Sequence, residues 1–108
     1  MKALCSIVLS TIIAFAMTVQ AVPQHSGAKL FRAYCASCHQ HGNTTVTASK
    51  SLKKEALQKY GVYSQALIEQ WIRSGNDAMP AFGRRLSPVQ VNQAASYVLQ
   101  QARSGWSQ

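Results

Sequence analysis

The residues of this chain best suited to chemistry are Cys35-Ala36-Ser37-Cys38-His39. The pentapeptide C-x-x-C-H has the spacing of a c-type haem attachment site. Two thiols three residues apart share one helical turn, so each can form a thioether to the same porphyrin. A His directly after the second Cys then falls beneath the iron, where a ring nitrogen can serve as proximal ligand. C-x-x-C without the His also occurs in thioredoxin-like and zinc-ribbon sites. A zinc site here would draw on Cys35, Cys38, His39 and His41, all crowded into one short loop. Zinc-binding chains instead space their ligand pairs apart so that the backbone can wrap the metal.

An iron held by His39 takes a second axial ligand from elsewhere in the chain, and Met79 is the candidate. Of the three methionines, Met1 and Met17 lie in the N-terminal apolar segment. Met79 sits in Asn76-Asp77-Ala78-Met79-Pro80-Ala81-Phe82, a turn-prone stretch between two expected helices. A methionine ordinarily fills gaps in a core, but one in a proline-containing loop is poorly placed for that and well placed to reach the other haem face. Thioether ligation favours ferrous iron and raises the reduction potential. His25 and His41 are rival donors; His25 is near the start of the domain, and His41 is held on the proximal side by its closeness to His39.

Residues 1–21 read as a cleaved secretory signal. Lys2 supplies the positive start, an apolar run follows, and Val19-Gln20-Ala21 offers small residues for cleavage. The run falls short of the roughly 20 apolar residues that a membrane-crossing helix needs. Cys5, the third cysteine, leaves with the signal. Residues 22–108 then form one small domain. A disulfide between Cys35 and Cys38 would close so short a loop that it would constrain almost nothing. A chain of this size also struggles to build a core from its own side chains. A covalently held haem answers both points.

The elements that must position these residues read as all-α, about four helices around one haem, with no convincing strand. Residues 28–34 form a short helix leading into the haem motif, with Leu30, Phe31 and Tyr34 apolar. The stretch Gly42-Asn43-Thr44-Thr45-Val46-Thr47 is a loop. A helix over residues 52–60 follows, capped by Ser51 and stopped by Gly61. Ser64 caps another through Ser74, with Leu67, Ile68, Trp71 and Ile72 on one face and Gly75 as the stop. The last helix has Ser87 as cap, Pro88 at the first position, and a buried stripe of Val91, Ala94, Ala95, Val98 and Ala102 before Gly105.

Taken together, these stretches resemble the class I c-type cytochromes, most closely the cytochrome c6 (cytochrome c-553) family of oxygenic photosynthesis. The resemblance runs from Phe31 through C-x-x-C-H and Gly42-Asn43, along Ser51-Leu52-Lys53-Lys54-Glu55-Ala56-Leu57 and Tyr60-Gly61, through the Met79 stretch, to residues 94–99 and Gly105-Trp106. It implies Cys35 and Cys38 as thioether anchors of one haem c, His39 as proximal and Met79 as distal ligand. It also puts Phe82 in place of an aromatic residue, and Arg85 of a basic one, near the haem. The implied function is single-electron transfer from the cytochrome bf complex to photosystem I, and also to a terminal oxidase, by a monomer in the thylakoid lumen or periplasm. Two positions depart from the family. Trp71 stands where photosynthetic members commonly carry Gln, and Arg84 where they tend to have Gly. Both point to an alternative: a c6-like paralogue, or a bacterial c-type cytochrome, serving another redox partner.

Charge bears on partners independently. Eleven basic residues face three acids, Glu55, Glu69 and Asp77, for a formal net charge of +8. An exported protein does not ordinarily meet nucleic acid, and no aromatic-plus-basic nucleic-acid motif is present. A positive field would instead steer the chain to an acidic docking patch on a membrane-bound redox complex. A haem enzyme or gas sensor would need an open coordination position, which Met79 closes, so the expectation is a carrier and not an enzyme.

Overall fold

The computed structural model describes residues 11–16 and 24–107, with Gln24 and His25 described by backbone alone. Residues 11–16 have no regular secondary structure, and Ile12, Ile13 and Phe15 there are almost fully exposed. The rest of the expected signal lies outside the described residues. Five α-helices follow: α1 (Gln24–Tyr34), α2 (Ala36–His39), α3 (Lys54–Lys59), α4 (Gln65–Ser74) and α5 (Pro88–Ser104). Single 3₁₀ turns occupy Gln40–Gly42 and Ala48–Lys50. Among the described residues no strand forms, and the one isolated bridge joins Asn76 to Met79. The all-α expectation holds.

The best-specified helix is α5. Ser87 accepts a hydrogen bond from the Gln90 N–H while the Gln90 side chain accepts from the Ser87 N–H, a reciprocal capping box with Pro88 at the first position. Its buried stripe contains the five residues expected and Leu99 besides. Gly105 ends it in the left-handed conformation. Ser64 caps α4 by accepting from the Leu67 N–H, and Gly75 terminates it.

Three boundaries or faces differ from the sequence reading. α1 begins at Gln24, ahead of residue 28, because Gly27 serves there as a contact surface: a Cβ on Gly27 would lie 2.5 Å from the Gln93 carbonyl oxygen of α5. The missing side chain lets α1 and α5 cross closely, and that packing outweighs glycine's poor helix propensity. α3 begins at Lys54, later than residue 52, and Ser51 is not its cap. The backbone of Leu52 is engaged elsewhere, its N–H donating to the Gly42 carbonyl and its carbonyl accepting from the Trp106 indole N–H at 3.0 Å. Leu67, expected on the apolar face of α4, is 38% exposed.

The core joins Phe31 of α1, Leu57 of α3, Ile68 and Ile72 of α4, Phe82 and Leu86 of the following loop, and the α5 stripe. Phe31 also meets Tyr97 and Trp106, each with ring centroids 5.3 Å away. Trp106 lies over Gly42 as well as bonding Leu52, so the chain end ties the loop after the haem motif to the helix crossing.

Candidate haem site

Cys35 stands at the junction of α1 and α2. Its N–H donates to the Phe31 carbonyl, continuing α1, and its own carbonyl accepts from the N–H groups of both Cys38 and His39. One tight turn therefore carries both thiols and the imidazole. Cys35 is half-buried and Cys38 exposed. Burial pushes the Cys35 thiol up to about 11. Dithiol redox catalysts depend on a lowered thiol pKa, so the environment of Cys35 is the opposite of what such an enzyme needs.

The His39 ring is fixed through its inner nitrogen. Nδ1 lies 3.0 Å from the Asn43 carbonyl oxygen and 3.3 Å from Thr44 Oγ1. Thr44 donates its hydroxyl proton to the Lys50 carbonyl at 2.8 Å, leaving its oxygen free only to accept from His39. Two acceptors at Nδ1 require the proton there. The lone pair is therefore on Nε2, the tautomer that a ligating imidazole adopts when its other nitrogen is held by a carbonyl.

Met79 is presented by a reverse turn. Asn76 and Met79 exchange backbone hydrogen bonds, Met79 N–H to the Asn76 carbonyl at 2.8 Å and Asn76 N–H to the Met79 carbonyl at 3.1 Å. Asp77 inside the turn has φ 50°. Gly75 precedes it with φ 68° and ψ 178°, a conformation essentially reserved for glycine. A Cβ there would also lie 2.5 Å from the Met79 carbonyl oxygen and 2.9 Å from the Ala81 nitrogen. Gly75→Ala is thus expected to combine backbone strain with displacement of the Met79 turn, destabilising the fold by about 2–3 kcal/mol. Gly61 is the control: its φ is 69° but nothing lies within 4 Å of an added Cβ, so Gly61→Ala carries only the strain, about 1–2 kcal/mol. Denaturant unfolding of the two variants checks this, and equal losses would contradict it.

Cys35, Cys38, His39 and Met79 all line one open cleft of about 230 Å³. Its walls are core side chains, chiefly Phe31, Leu57, Ile68, Ile72, Phe82 and Val98. An apolar slot with two thiols, an imidazole whose Nδ1 is already bonded and a thioether on its lining fits a haem in donor chemistry and in character. Among the described residues no three His, Cys, Asp or Glu side chains converge as a metal cluster. Of the rival donors, His41 is exposed and does not line the cleft, and the His25 side chain lies outside the described residues. Phe82 is buried in the wall and Trp71 lines it. Arg85 is not a lining residue; its guanidinium stacks over Tyr34 and Phe82, 5.5 and 5.3 Å from the ring centroids, so it adjoins the cleft through those rings. Sequence reasoning missed Asn43 and Thr44 as partners of His39, because a polar loop carries no periodic signal.

The chain matches the family model described as cytochrome c oxidase, cbb3-type, subunit III over residues 22–98. It is 44% identical over 110 residues to cytochrome c6 of Nostoc sp. strain PCC 7120, covering 98% of this chain and 99% of that protein. The solved structure of cytochrome c6 from the diatom Phaeodactylum tricornutum matches with a TM-score of 0.75 at 40% identity, covering 77% of this chain and 98% of that one. That of cytochrome c6C from Synechococcus sp. PCC 7002 matches with a TM-score of 0.71 at 38% identity, covering 73% of this chain and 96% of that one. Likeness of this extent in both sequence and fold places the chain among the c-type cytochromes, in the cytochrome c6 family, whose members use haem c to carry electrons and are not enzymes.

Proposed function

We propose that this chain carries single electrons on one haem c, held through thioethers to Cys35 and Cys38 and ligated by His39 and Met79. The observation that carries this reading is the convergence of those four side chains on one apolar cleft, with His39 Nδ1 held 3.0 Å from the Asn43 carbonyl oxygen. Bound haem would supply a ferric/ferrous couple. The chain's own contribution is to hold His39 in one tautomer through Asn43 and Thr44, to present Met79 on a two-bonded turn, and to exclude water with Phe31, Leu57, Ile72 and Phe82. A thioether favours the ferrous state and an apolar wall disfavours added charge, so both raise the potential.

The reading extends to export and partners. Residues 1–21 act as a cleaved signal, supported by Lys2, the apolar run after it and the small residues of Val19-Gln20-Ala21, and residues 22–108 work as a monomer in the thylakoid lumen or periplasm. Among the described residues no helix is long and apolar enough to cross a membrane. Electrons pass from the cytochrome bf complex to photosystem I and to a terminal oxidase. With ten Lys and Arg against three acids in residues 22–108, encounter with an acidic docking patch is electrostatically steered.

The second-order rate with photosystem I is therefore expected to fall as salt rises, since the Debye length is about 10 Å at 0.1 M. Arg84 is exposed and Arg85 stacks on two cleft-lining rings. Charge reversal at either is expected to cut the rate by about tenfold, at the lower end of what steering supplies. Reversal at Lys29 on α1 or Arg103 on α5 is expected to do much less. Measuring the potential of each variant separates docking from tuning at Arg85. A rate that is flat or rises with salt would instead favour a c6-like paralogue with another partner, a reading supported by Trp71 in the cleft wall.

A further inference from the structure

Lys50 touches both sides of the cleft. Its carbonyl accepts the Thr44 hydroxyl, and Thr44 Oγ1 in turn accepts from His39 Nδ1. Its ammonium lies 3.7 Å from Asp77 Oδ2, inside the turn that carries Met79. The same ammonium sits 5.6 Å from the centroid of the Tyr60 ring. One residue thus links the loop that fixes the imidazole to the loop that presents the thioether. One of only three acidic side chains in the chain is used for that link.

We propose that Lys50 is a positioning residue for both axial ligands: its carbonyl braces His39 through Thr44, and its ion pair with Asp77 holds the Met79 turn against the cleft. The proposal rests on the ligand reading above. Exposed ion pairs contribute little when two free side chains must be ordered to make them. Here one partner is already ordered. The Lys50 backbone is held in a 3₁₀ turn, its carbonyl is bonded, and its ammonium lies against a ring. Asp77 is 78% exposed, which keeps the effect modest and makes it sensitive to salt. The pair therefore acts on the opening of the Met79 turn and has little leverage on global stability.

Imidazole added to the ferric, haem-loaded protein is the probe, because it competes with Met79 for the iron. The readout is loss of the sulfur–iron charge-transfer band at the red edge of the spectrum. Asp77→Asn keeps the size of the side chain and suits the left-handed backbone at φ 50°, while Lys50→Gln removes the charge and keeps most of the stem. Each is expected to raise imidazole affinity about two- to fivefold, the range of a modest exposed pair. The double variant is expected to match either single one, and Lys50→Arg to stay close to the parent. Parental affinity should climb with salt toward that of the variants, whose own affinities stay flat; this salt titration tests the pair even where a variant folds poorly. Single variants indistinguishable from the parent, or effects that simply add, would overturn the proposal. A parent without the band, or a Met79→Ala variant that keeps it, overturns the ligand reading and the proposal with it, and the spectra of the parent and of Met79→Ala together tell the two failures apart.

Discussion

Replacing Met79 with Ala is expected to leave the haem attached while opening its sixth position to water, carbon monoxide or imidazole. The side chain is half-buried at the cleft, and the turn that carries it is held by backbone bonds between residues 76 and 79, which do not depend on the thioether. Loss of the thioether removes a donor that favours the ferrous state. The midpoint potential should fall by on the order of 0.1 V or more, within the roughly 0.8 V span that axial ligation commands. Ligand titration and a redox titration of the same sample check both halves. An unchanged potential with no new ligand binding would show that Met79 is not the donor.

The second large effect lies at the thiols. A Cys35→Ser, Cys38→Ser double variant is expected to carry no haem through acid-acetone extraction or denaturing electrophoresis, whereas the parent retains it through both. Folding should suffer as well, because Phe31, Leu57, Ile68, Ile72, Phe82 and Val98 belong to the core and the cleft wall at once. A haem packed there also covers the surface left on the half-buried Leu52, Val62, Trp71 and Met79, at about 25 cal/mol for each Å² of apolar area. The double variant should lose on the order of 5 kcal/mol, most of the stability of a marginal small domain. Circular dichroism during denaturant unfolding measures this. Parental protein that releases its haem on extraction would contradict the covalent reading.

Much of this was legible in the residues because local and tertiary signals agreed. In α5, the cap at Ser87, the proline at the first position and the 3–4 spacing of Val91, Ala94, Ala95 and Val98 all point one way. The C-x-x-C-H spacing is a local chemical pattern, so its turn could be read directly. What stayed hidden depends on contacts far apart in the chain. Nothing near Gly27 announces that α5 crosses there, and nothing near Leu52 announces that Gly42 and Trp106 will take its backbone groups in place of a helix. Thr44 reads as one polar residue among several until the fold sets it between His39 and Lys50. Leu67 fails in the opposite sense: its spacing fits the apolar face of α4, yet no element covers it fully.

One haem, ligated by a nitrogen and a sulfur, is expected to cycle between two oxidation states without opening a site for substrate. Spectroelectrochemical titration of the matured protein tests it most directly. The expected result is a single reversible one-electron wave, a sulfur–iron charge-transfer band in the ferric form that disappears along that same wave, and no carbon monoxide binding in the ferrous form. A ferric spectrum without the band, together with stoichiometric carbon monoxide binding on reduction, would contradict it.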